Sequence, residues 1–275
     1  MAKTYGVLST KGGIGKTTLT ANLGGILADM NQRVLLIDAD FQQSLSSYYK
    51  IDKLANHGLK EAVIQADASK SISSTNILNL DIICSNDPKQ ELITWLRQSS
   101  THVQYLKALI NQASPDYDYI FIDSQGAAGI LQESVILASD TLLSPITTEY
   151  LSAKEFFRGT VQMLERMIMP KAIDSTPLPP LLGIINRLNR TSDSKAILES
   201  LRRNFSDVNQ HNVDINILNS TIPEMSVYNK AAGQQIPAHR FEVKRKGPTR
   251  SAHDTILAII HELEPDLINL SPVWA

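Results

Sequence analysis

Residues 5–18 read Tyr5-Gly-Val-Leu-Ser-Thr-Lys-Gly-Gly-Ile-Gly-Lys-Thr-Thr18, and this stretch decides the fold. Its apolar start, Tyr5 to Leu8, predicts a buried strand. A glycine-rich loop follows, and from Lys16 onward apolar residues recur at the spacing of one helix face. Strand, glycine-rich loop and helix in this order form a phosphate cradle, because glycines let backbone N–H groups approach phosphates and the helix N-terminus adds its positive dipole end.

Two side chains of this loop have a predicted chemical role. Lys16 can reach the β- and γ-phosphate oxygens of a nucleotide, and the hydroxyl of Thr17 suits Mg²⁺. The strict pattern requires glycine where this chain has Thr10, and a second lysine comes next. The residues expected to bind the nucleotide in this loop are Lys11, Gly12, Gly13, Ile14, Gly15, Lys16, Thr17 and Thr18.

Residues 11–18 resemble the deviant Walker A motif of the ParA/MinD superfamily, in which the loop begins with an additional lysine. The resemblance implies an ATPase that uses ATP and Mg²⁺. It also implies an ATP-dependent homodimer, in which Lys11 crosses the interface to the nucleotide of the partner. Lys11 and Lys16 are therefore both expected to act in catalysis.

Composition limits the class of protein. At 275 residues the chain suits one large domain or at most two, and its 43% hydrophobic content is ordinary for a globular protein. A single cysteine, Cys84, excludes a disulfide framework and an all-cysteine metal site within one chain. No apolar run is long enough for a membrane span. Because Met1 to Thr4 lead directly into a predicted strand, we expect no signal peptide and a cytoplasmic protein.

Strand-like apolar runs alternate with helical patterns along the chain, which favours a mostly parallel α/β sheet with helices on both faces. We expect one P-loop ATPase domain over residues 1–275, and the resemblance implies that no N-terminal helix-turn-helix extension is present. Residues 42–78 are polar and irregular. The predicted strands are Tyr5–Leu8, Arg33–Asp40, Leu80–Cys84, Tyr117–Asp123, Thr141–Pro145, Leu181–Ile185 and Asp214–Leu218. The predicted helices begin near Lys16, Leu59, Pro88, Val103, Leu131, Ser152, Ser194 and Ser251, and Ile173–Pro180 is predicted to be a connection.

Acidic residues stand at the ends of two predicted strands. Because ligands of open α/β sheets gather at the carboxyl ends of strands, Asp38 and Asp40 are expected to face the loop at 10–17. Asp123 resembles a Walker B aspartate, which implies a Mg²⁺ ligand together with Thr17 and Asp40. The segment from Asp38 to Gln42 resembles a second superfamily motif, although Phe41 replaces its usual proline. The resemblance gives Asp40 the role of positioning or activating the attacking water.

The segment after Asp123 departs from the superfamily pattern, since Ser124-Gln-Gly126 replaces the usual residues. Whether Gln125 helps to orient water is left open by the sequence. Two further segments resemble the parts of the superfamily that contact adenine. They place Asn186, Arg187, Ile222, Pro223 and Glu224 among the expected nucleotide-binding residues.

Charge is distributed unevenly along the chain. The net charge is −2, yet residues 187–250 hold 11 basic and 6 acidic side chains. This local surplus is compatible with a polyanionic partner, although a solvated helix face is the more frequent explanation of such a surplus. The candidate DNA contacts are Arg202, Arg203, Lys230, Arg240, Lys244, Arg245, Lys246 and Arg250.

Within the superfamily the chain resembles ParA/Soj-type partition ATPases. The resemblance implies that an ATP-bound dimer binds duplex DNA on the bacterial nucleoid without sequence preference, and that a ParB-type centromere-binding protein stimulates hydrolysis. The segment from Glu262 to Ala275 is acidic and contains two prolines, which argues against the basic membrane-binding helix of MinD-type relatives. Two alternatives remain: an ATPase that positions a protein cargo, and an ATP-dependent synthetase acting on a small molecule.

Overall fold

The fold is a nine-stranded, mostly parallel sheet with helices on both faces. It was obtained as a computed structural model, which describes residues 1–171, 177–189, 191–206 and 213–274. Within these ranges the strands are β1 Lys3–Val7, β2 Val34–Ala39, β3 Ile51–Lys53, β4 Ile72–Thr75, β5 Leu80–Ile83, β6 Tyr119–Ser124, β7 Thr141–Thr147, β8 Leu181–Leu188 and β9 Ile215–Pro223. Their order across the sheet is β3-β4-β5-β2-β6-β1-β7-β8-β9.

Seven of the strands run parallel, from β5 to β9 across the sheet. The other two, β3 and β4, add an antiparallel edge beside β5. In the described part of the chain the helices are α1 Lys16–Asp29, α2 Leu59–Gln65, α3 Glu91–Leu96, α4 Tyr105–Ala113, α5 Ile130–Ala138, α6 Tyr150–Glu155, α7 Gln162–Lys171, α8 Ser192–Ser206, α9 Val227–Gly233, α10 Ala238–Phe241 and α11 Ala252–Leu263. A π-helical turn, Phe156–Val161, joins α6 to α7.

Alternation along the central strands builds a core on each face of the sheet. In β2, Val34 and Leu36 pack with α1 and α11, whereas Leu35 and Ile37 pack with α2, α4 and α5. A third cluster joins β7, β8 and β9 to α7 and α8. Central strands such as β2 are buried on both faces because helices cover both faces of the sheet.

The predicted fold class is confirmed, and each predicted strand overlaps an observed one. Strands β3 and β4 and helices α9 and α10 were not predicted. The strand predicted at Asp214–Leu218 continues to Pro223, and the helix predicted from Ser152 contains the π-helical turn. Part of the predicted connection at 173–180 lies outside the described residues. Within the described residues, no helix combines the length and apolar character needed to cross a bilayer.

Both edges of the sheet carry charged side chains. At the β9 edge the carboxylate of Glu262 accepts hydrogen bonds from the N–H groups of Asn219, at 2.6 Å, and Ser220, at 2.7 Å. The guanidinium of Arg202 donates to the carbonyl of Asn219 at 3.0 Å. The opposite edge strand, β3, has only three residues, and two of them, Asp52 and Lys53, are exposed.

Candidate functional site: a phosphate-binding loop beside two carboxylates

The glycine-rich loop lies between the end of β1 and the start of α1, at the carboxyl edge of the parallel sheet. Gly13 and Gly15 have φ angles of 73° and 94°, which side chains other than glycine adopt with strain. At Gly15 there is also no room, since a Cβ would overlap the side-chain amide of Asn186. Backbone N–H groups of the loop and of the first turn of α1 are thereby free to face an anion.

Side chains from three separate elements hold the carbonyl groups of this loop and of the preceding strand. Ser124 Oγ donates to the Val7 carbonyl at 2.9 Å, and Gln132 Nε2 donates to the Ser9 carbonyl at 3.3 Å. Asn186 Nδ2 donates to the Ile14 carbonyl at 2.7 Å. Sequence reasoning missed the role of Gln132, because a glutamine inside a helical pattern carries no local signal of its partner.

Asn186, which the resemblance assigned to an adenine contact, also has hydrogen-bond partners within the chain. Besides its bond to the loop, its Oδ1 accepts the N–H of Arg187 at 2.9 Å, so the described contacts of both amide atoms are within the chain. Asn186 therefore stabilises the phosphate-binding loop through its hydrogen bond to the Ile14 carbonyl. Its contact with adenine stays a prediction.

Lys16, Thr17 and Asp123 form the centre of the site. Lys16 is 7% exposed, and burial lowers the pKa of its ammonium, an effect that the nearby carboxylates of Asp123 and Asp40 oppose. Thr17 Oγ1 donates to Asp123 Oδ2 at 2.6 Å. Burial raises the pKa of Asp123 to about 8, although the hydrogen bond from Thr17 opposes this change.

These residues fit a Mg²⁺ ion. Asp123 is fully buried, and its Oδ1 atom has no hydrogen-bond partner among the described residues. A buried carboxylate oxygen without a partner lowers the stability of the fold unless a cation binds it. Mg²⁺ prefers oxygen ligands such as carboxylates and hydroxyls. Asp123 and Thr17 are thus suited to hold Mg²⁺, which when bound would neutralise phosphate charge.

Asp38 lies within β2 and Asp40 directly after it, and the two aspartates differ in how fully their own turn binds them. Asp38 is fully buried, and its carboxylate accepts the N–H of Asp40 at 3.1 Å and both the N–H and Oγ of Ser46 at 2.7 Å. Asp38 thus closes its own turn, but its charge also acts on Asp123, to which Thr17 of the loop bonds. The expectation that Asp38 faces the loop at 10–17 stays a prediction. Asp40 is half-buried and close enough for its charge to act on Lys16 and Asp123.

Lys11 lies apart from this buried centre. Its side chain is 33% exposed, and its Nζ atom is 3.5 Å from Oε2 of Glu149, just before α6. Glu149 is itself 74% exposed, so the ion pair is a weak one. The ammonium of Lys11 is therefore accessible to another molecule.

A cavity of about 400 Å³ adjoins the loop on the side of β8 and β9. It has the size of a small-ligand pocket. The predicted residues Asn186, Arg187, Ile222, Pro223 and Glu224 all line it, together with Gly15, Thr18, Leu19, Met225, Ser226, Tyr228, Asn229 and Ile256. The structure thus brings the predicted phosphate and nucleoside segments together, while the binding itself stays a prediction.

The basic residues expected to contact DNA are exposed, with one exception. Arg240 donates two hydrogen bonds to Asp29, at 2.7 and 2.5 Å, and His239 contacts the same carboxylate at 2.7 Å. Burial alone would raise the pKa of Asp29, but the hydrogen bonds from Arg240 and His239 outweigh it and lower that pKa. Arg240 is therefore engaged inside the fold, and we exclude it from the proposed DNA surface.

Replacing Arg240 by alanine is expected to lower the free energy of unfolding by about 3 kcal/mol, because Asp29 is left buried with His239 as its remaining partner. Urea denaturation measures this change. The difference from the parent should shrink as the pH falls through the lowered pKa of Asp29, since the protonated carboxyl no longer needs the guanidinium. Lys246→Ala, an exposed neighbour, serves as the control and should leave stability within about 0.5 kcal/mol. A variant as stable as the parent would contradict the structural role of Arg240.

Comparison with known proteins agrees with this site. The chain matches an AAA domain family over residues 2–171, which is more than half of its length. It is 29% identical over 210 residues to the sporulation initiation inhibitor protein Soj of Bacillus subtilis, covering 75% of this chain and 81% of Soj. It is 26% identical over 207 residues to the chromosome partitioning protein ParA of Caulobacter vibrioides, covering 73% and 76% of the two chains.

Solved structures confirm the fold. The apo structure of McdA from Cyanothece superposes with a TM-score of 0.73 at 25% identity, covering 88% of this chain and 93% of McdA. McdA has also been solved in a complex with ATP. The phosphate-binding loop, the strand-end aspartate and the relationship to Soj and ParA all lead to one assignment. The chain belongs to the ParA/Soj/MinD family of P-loop ATPases.

Proposed function

We propose that this ATPase segregates DNA: two ATP-bound copies pair and bind duplex DNA without sequence preference, and a ParB-type protein stimulates hydrolysis and release. The observation that carries the proposal is the position of Lys11. A second lysine in the loop has its ammonium exposed beside Glu149, apart from the buried Lys16, which supports a contact with a nucleotide outside its own chain. The name of the Caulobacter relative, a chromosome partitioning protein, supports the same function.

In this proposal the chain forms one ATPase domain over residues 1–275, with ATP and Mg²⁺ as cofactors. The loop residues 11–18, which include Lys16, bind the phosphates. The expected Mg²⁺ ligands are Thr17, Asp40 and Asp123. Asp40 orients the attacking water. The orphaned oxygen of Asp123 supports the metal assignment, and the 400 Å³ cavity supports the nucleoside assignment.

The proposed DNA surface follows α9 and the segment before α11. Its side chains are exposed and basic, and Arg245 is also 3.6 Å from Glu242. Arg202 and Arg203 lie on α8, which packs on the other face of the sheet, so they would form a separate contact. The residues of the first surface are Lys230, Lys244, Arg245, Lys246 and Arg250.

Binding to a random-sequence duplex tests the proposal, measured with ATP, with ADP and without nucleotide over a salt series. We expect binding with ATP alone, with an affinity that falls steeply as salt rises, because lysine and arginine contacts displace counterions from phosphates. Lys244→Ala combined with Lys246→Ala should reduce the log–log salt slope by about 4, because the bound pair of chains loses two phosphate contacts from each chain. The matched control is the double variant Lys50→Ala/Lys53→Ala. Both lysines are exposed: Lys53 lies in β3, the edge strand at the other end of the sheet, and Lys50 directly precedes that strand.

Equal binding in all three nucleotide states would contradict a nucleotide-gated DNA surface. ATP-dependent pairing without DNA binding would favour a protein cargo instead. Absence of both pairing and DNA binding would favour small-molecule chemistry on the same ATPase fold.

A further inference from the structure

The side chain of Thr10 makes a contact that glycine, the residue required there by the strict loop pattern, could not make, and its backbone makes a second contact to the same segment. Its Oγ1 donates to Oε1 of Glu155 at 3.1 Å, and its backbone N–H donates to Oγ1 of Thr160 at 3.4 Å. Gly159 lies directly against the same hydroxyl, because a Cβ at position 159 would overlap Thr10 Oγ1. The start of the loop is therefore fastened to the segment that joins α6 to α7.

The π-helical turn explains how these residues meet. Residues five apart align along a π-helix, whereas residues three or four apart align along an α-helix. The turn at Phe156–Val161 thus allows Glu155 and Thr160, five residues apart, to face Thr10 together. Short π-helical turns within α-helices occur frequently at functional sites. Glu155, Gly159 and Thr160 are named here the Thr10 clasp.

The Thr10 clasp holds the first half of the loop, which contains Lys11. Lys11 follows Thr10 directly, its N–H donates to Ser9 Oγ at 3.1 Å, and its ammonium meets Glu149 just ahead of α6. The other half of the loop is held elsewhere, since Thr17 bonds to Asp123 on β6. The two lysines of the loop therefore have separate supports.

We propose that the Thr10 clasp positions Lys11 for contact with the nucleotide of a second copy, an inference that rests on the ATP-dependent pairing proposed above. Without the clasp, the backbone at residues 10–11 samples more conformations. Pairing must then restrict these residues, and this entropy loss weakens the dimer. Binding of ATP to a single chain depends on the half of the loop around Lys16. Thr10 and Glu155 are thus positioning residues for pairing and touch no nucleotide of their own chain.

Four variants test the clasp. Thr10→Val removes the hydroxyl at nearly constant volume, Thr10→Ser retains it, and Glu155→Ala removes its acceptor. Thr94→Val is the matched control, because Thr94 is an exposed threonine whose hydroxyl bonds only to the Gln90 carbonyl of its own helix among the contacts described. ATP affinity of the single chain is measured with a fluorescent ATP analogue at protein concentrations too low for pairing. Pairing with ATP is measured by sedimentation velocity.

We expect Thr10→Val and Glu155→Ala each to raise the dimer dissociation constant about tenfold, the effect of losing a hydrogen bond to a charged group. Their ATP affinity as single chains should change less than about threefold. Thr10→Ser should pair within about twofold of the parent, and so should Thr94→Val. The double variant Thr10→Val/Glu155→Ala should pair about as weakly as either single variant, because both changes remove the same contact.

The inference is overturned if Thr10→Val pairs as well as the parent, or if Thr10→Ser pairs as weakly as Thr10→Val. It is also overturned if single-chain ATP affinity falls as much as pairing does, since the clasp would then serve the whole loop. Absence of ATP-dependent pairing in the parent chain would instead refute the proposed function, and the clasp proposal with it. The parent measurement therefore separates the two failures.

Discussion

Lys11→Ala is expected to abolish ATP-dependent pairing at micromolar protein, with a dimer dissociation constant raised at least about 100-fold. Removing one partner of a buried charge contact at an interface costs about 2–5 kcal/mol, and a twofold symmetric pair loses two such contacts. The fold should be intact, because Lys11 is 33% exposed and its pair with Glu149 is weak. Light scattering with ATP measures the change, and circular dichroism checks the fold.

Lys154→Ala is the matched control for this experiment. Lys154 is an exposed lysine of α6 that lies over the ring of Tyr150, 6.0 Å from its centroid, and it belongs to no part of the phosphate-binding loop. It should pair as the parent does. If Lys11→Ala still pairs with ATP, the assignment of Lys11 to a partner's nucleotide is wrong, whereas the site around Lys16 is unaffected.

Asp40→Ala is expected to lower the rate of ATP hydrolysis about 100-fold or more while ATP binding and pairing persist. A carboxylate that orients or deprotonates the attacking water contributes factors of about 10² to 10⁴. Asp40 is half-buried, and its described contact through Oδ1 is with the N–H of Gln42, so its loss leaves no buried group without a partner. Phosphate release measures hydrolysis, and sedimentation with ATP measures the paired state.

The control for Asp40→Ala is Asp52→Ala, an exposed aspartate of β3 that should hydrolyse ATP at the parent rate. Hydrolysis at the parent rate in Asp40→Ala would move the water-orienting role to another residue. Gln125 is then the candidate, because it is 7% exposed and follows the strand that carries Asp123.

Much of the fold could be predicted because its signals are local. The apolar run before the glycine loop, the helical spacing after Lys16 and the acid that ends β6 each lie within a few residues. Their positions in space then follow from the rule that parallel strands present their carboxyl ends at one edge. The resemblance assigned the segment Ile222–Glu224 to adenine binding, and in the structure these residues line the 400 Å³ cavity beside the loop.

The supports of the site could not be predicted, because they join residues far apart in the chain. Gln132 and Ser9 are 123 positions apart, and Asn186 and Ile14 are 172 positions apart. The partner of Asp38 was missed for a related reason, since alternation cannot reveal that Ser46 returns to satisfy its carboxylate. Strands β3 and β4 are short and polar, which gives them too little apolar periodicity to stand out.

The charged edges of the sheet limit how copies of this chain can associate. An unpaired strand edge is a template for pairing with another chain, and short charged edge strands or interrupted ladders suppress it. Here β3 is only three residues long, while Glu262 and Arg202 occupy backbone groups in the middle of β9. Growth of the sheet from one molecule into the next is therefore disfavoured at both ends. In the proposed DNA-bound state, copies of the chain would then pair through the face around Lys11 without polymerising through their strands.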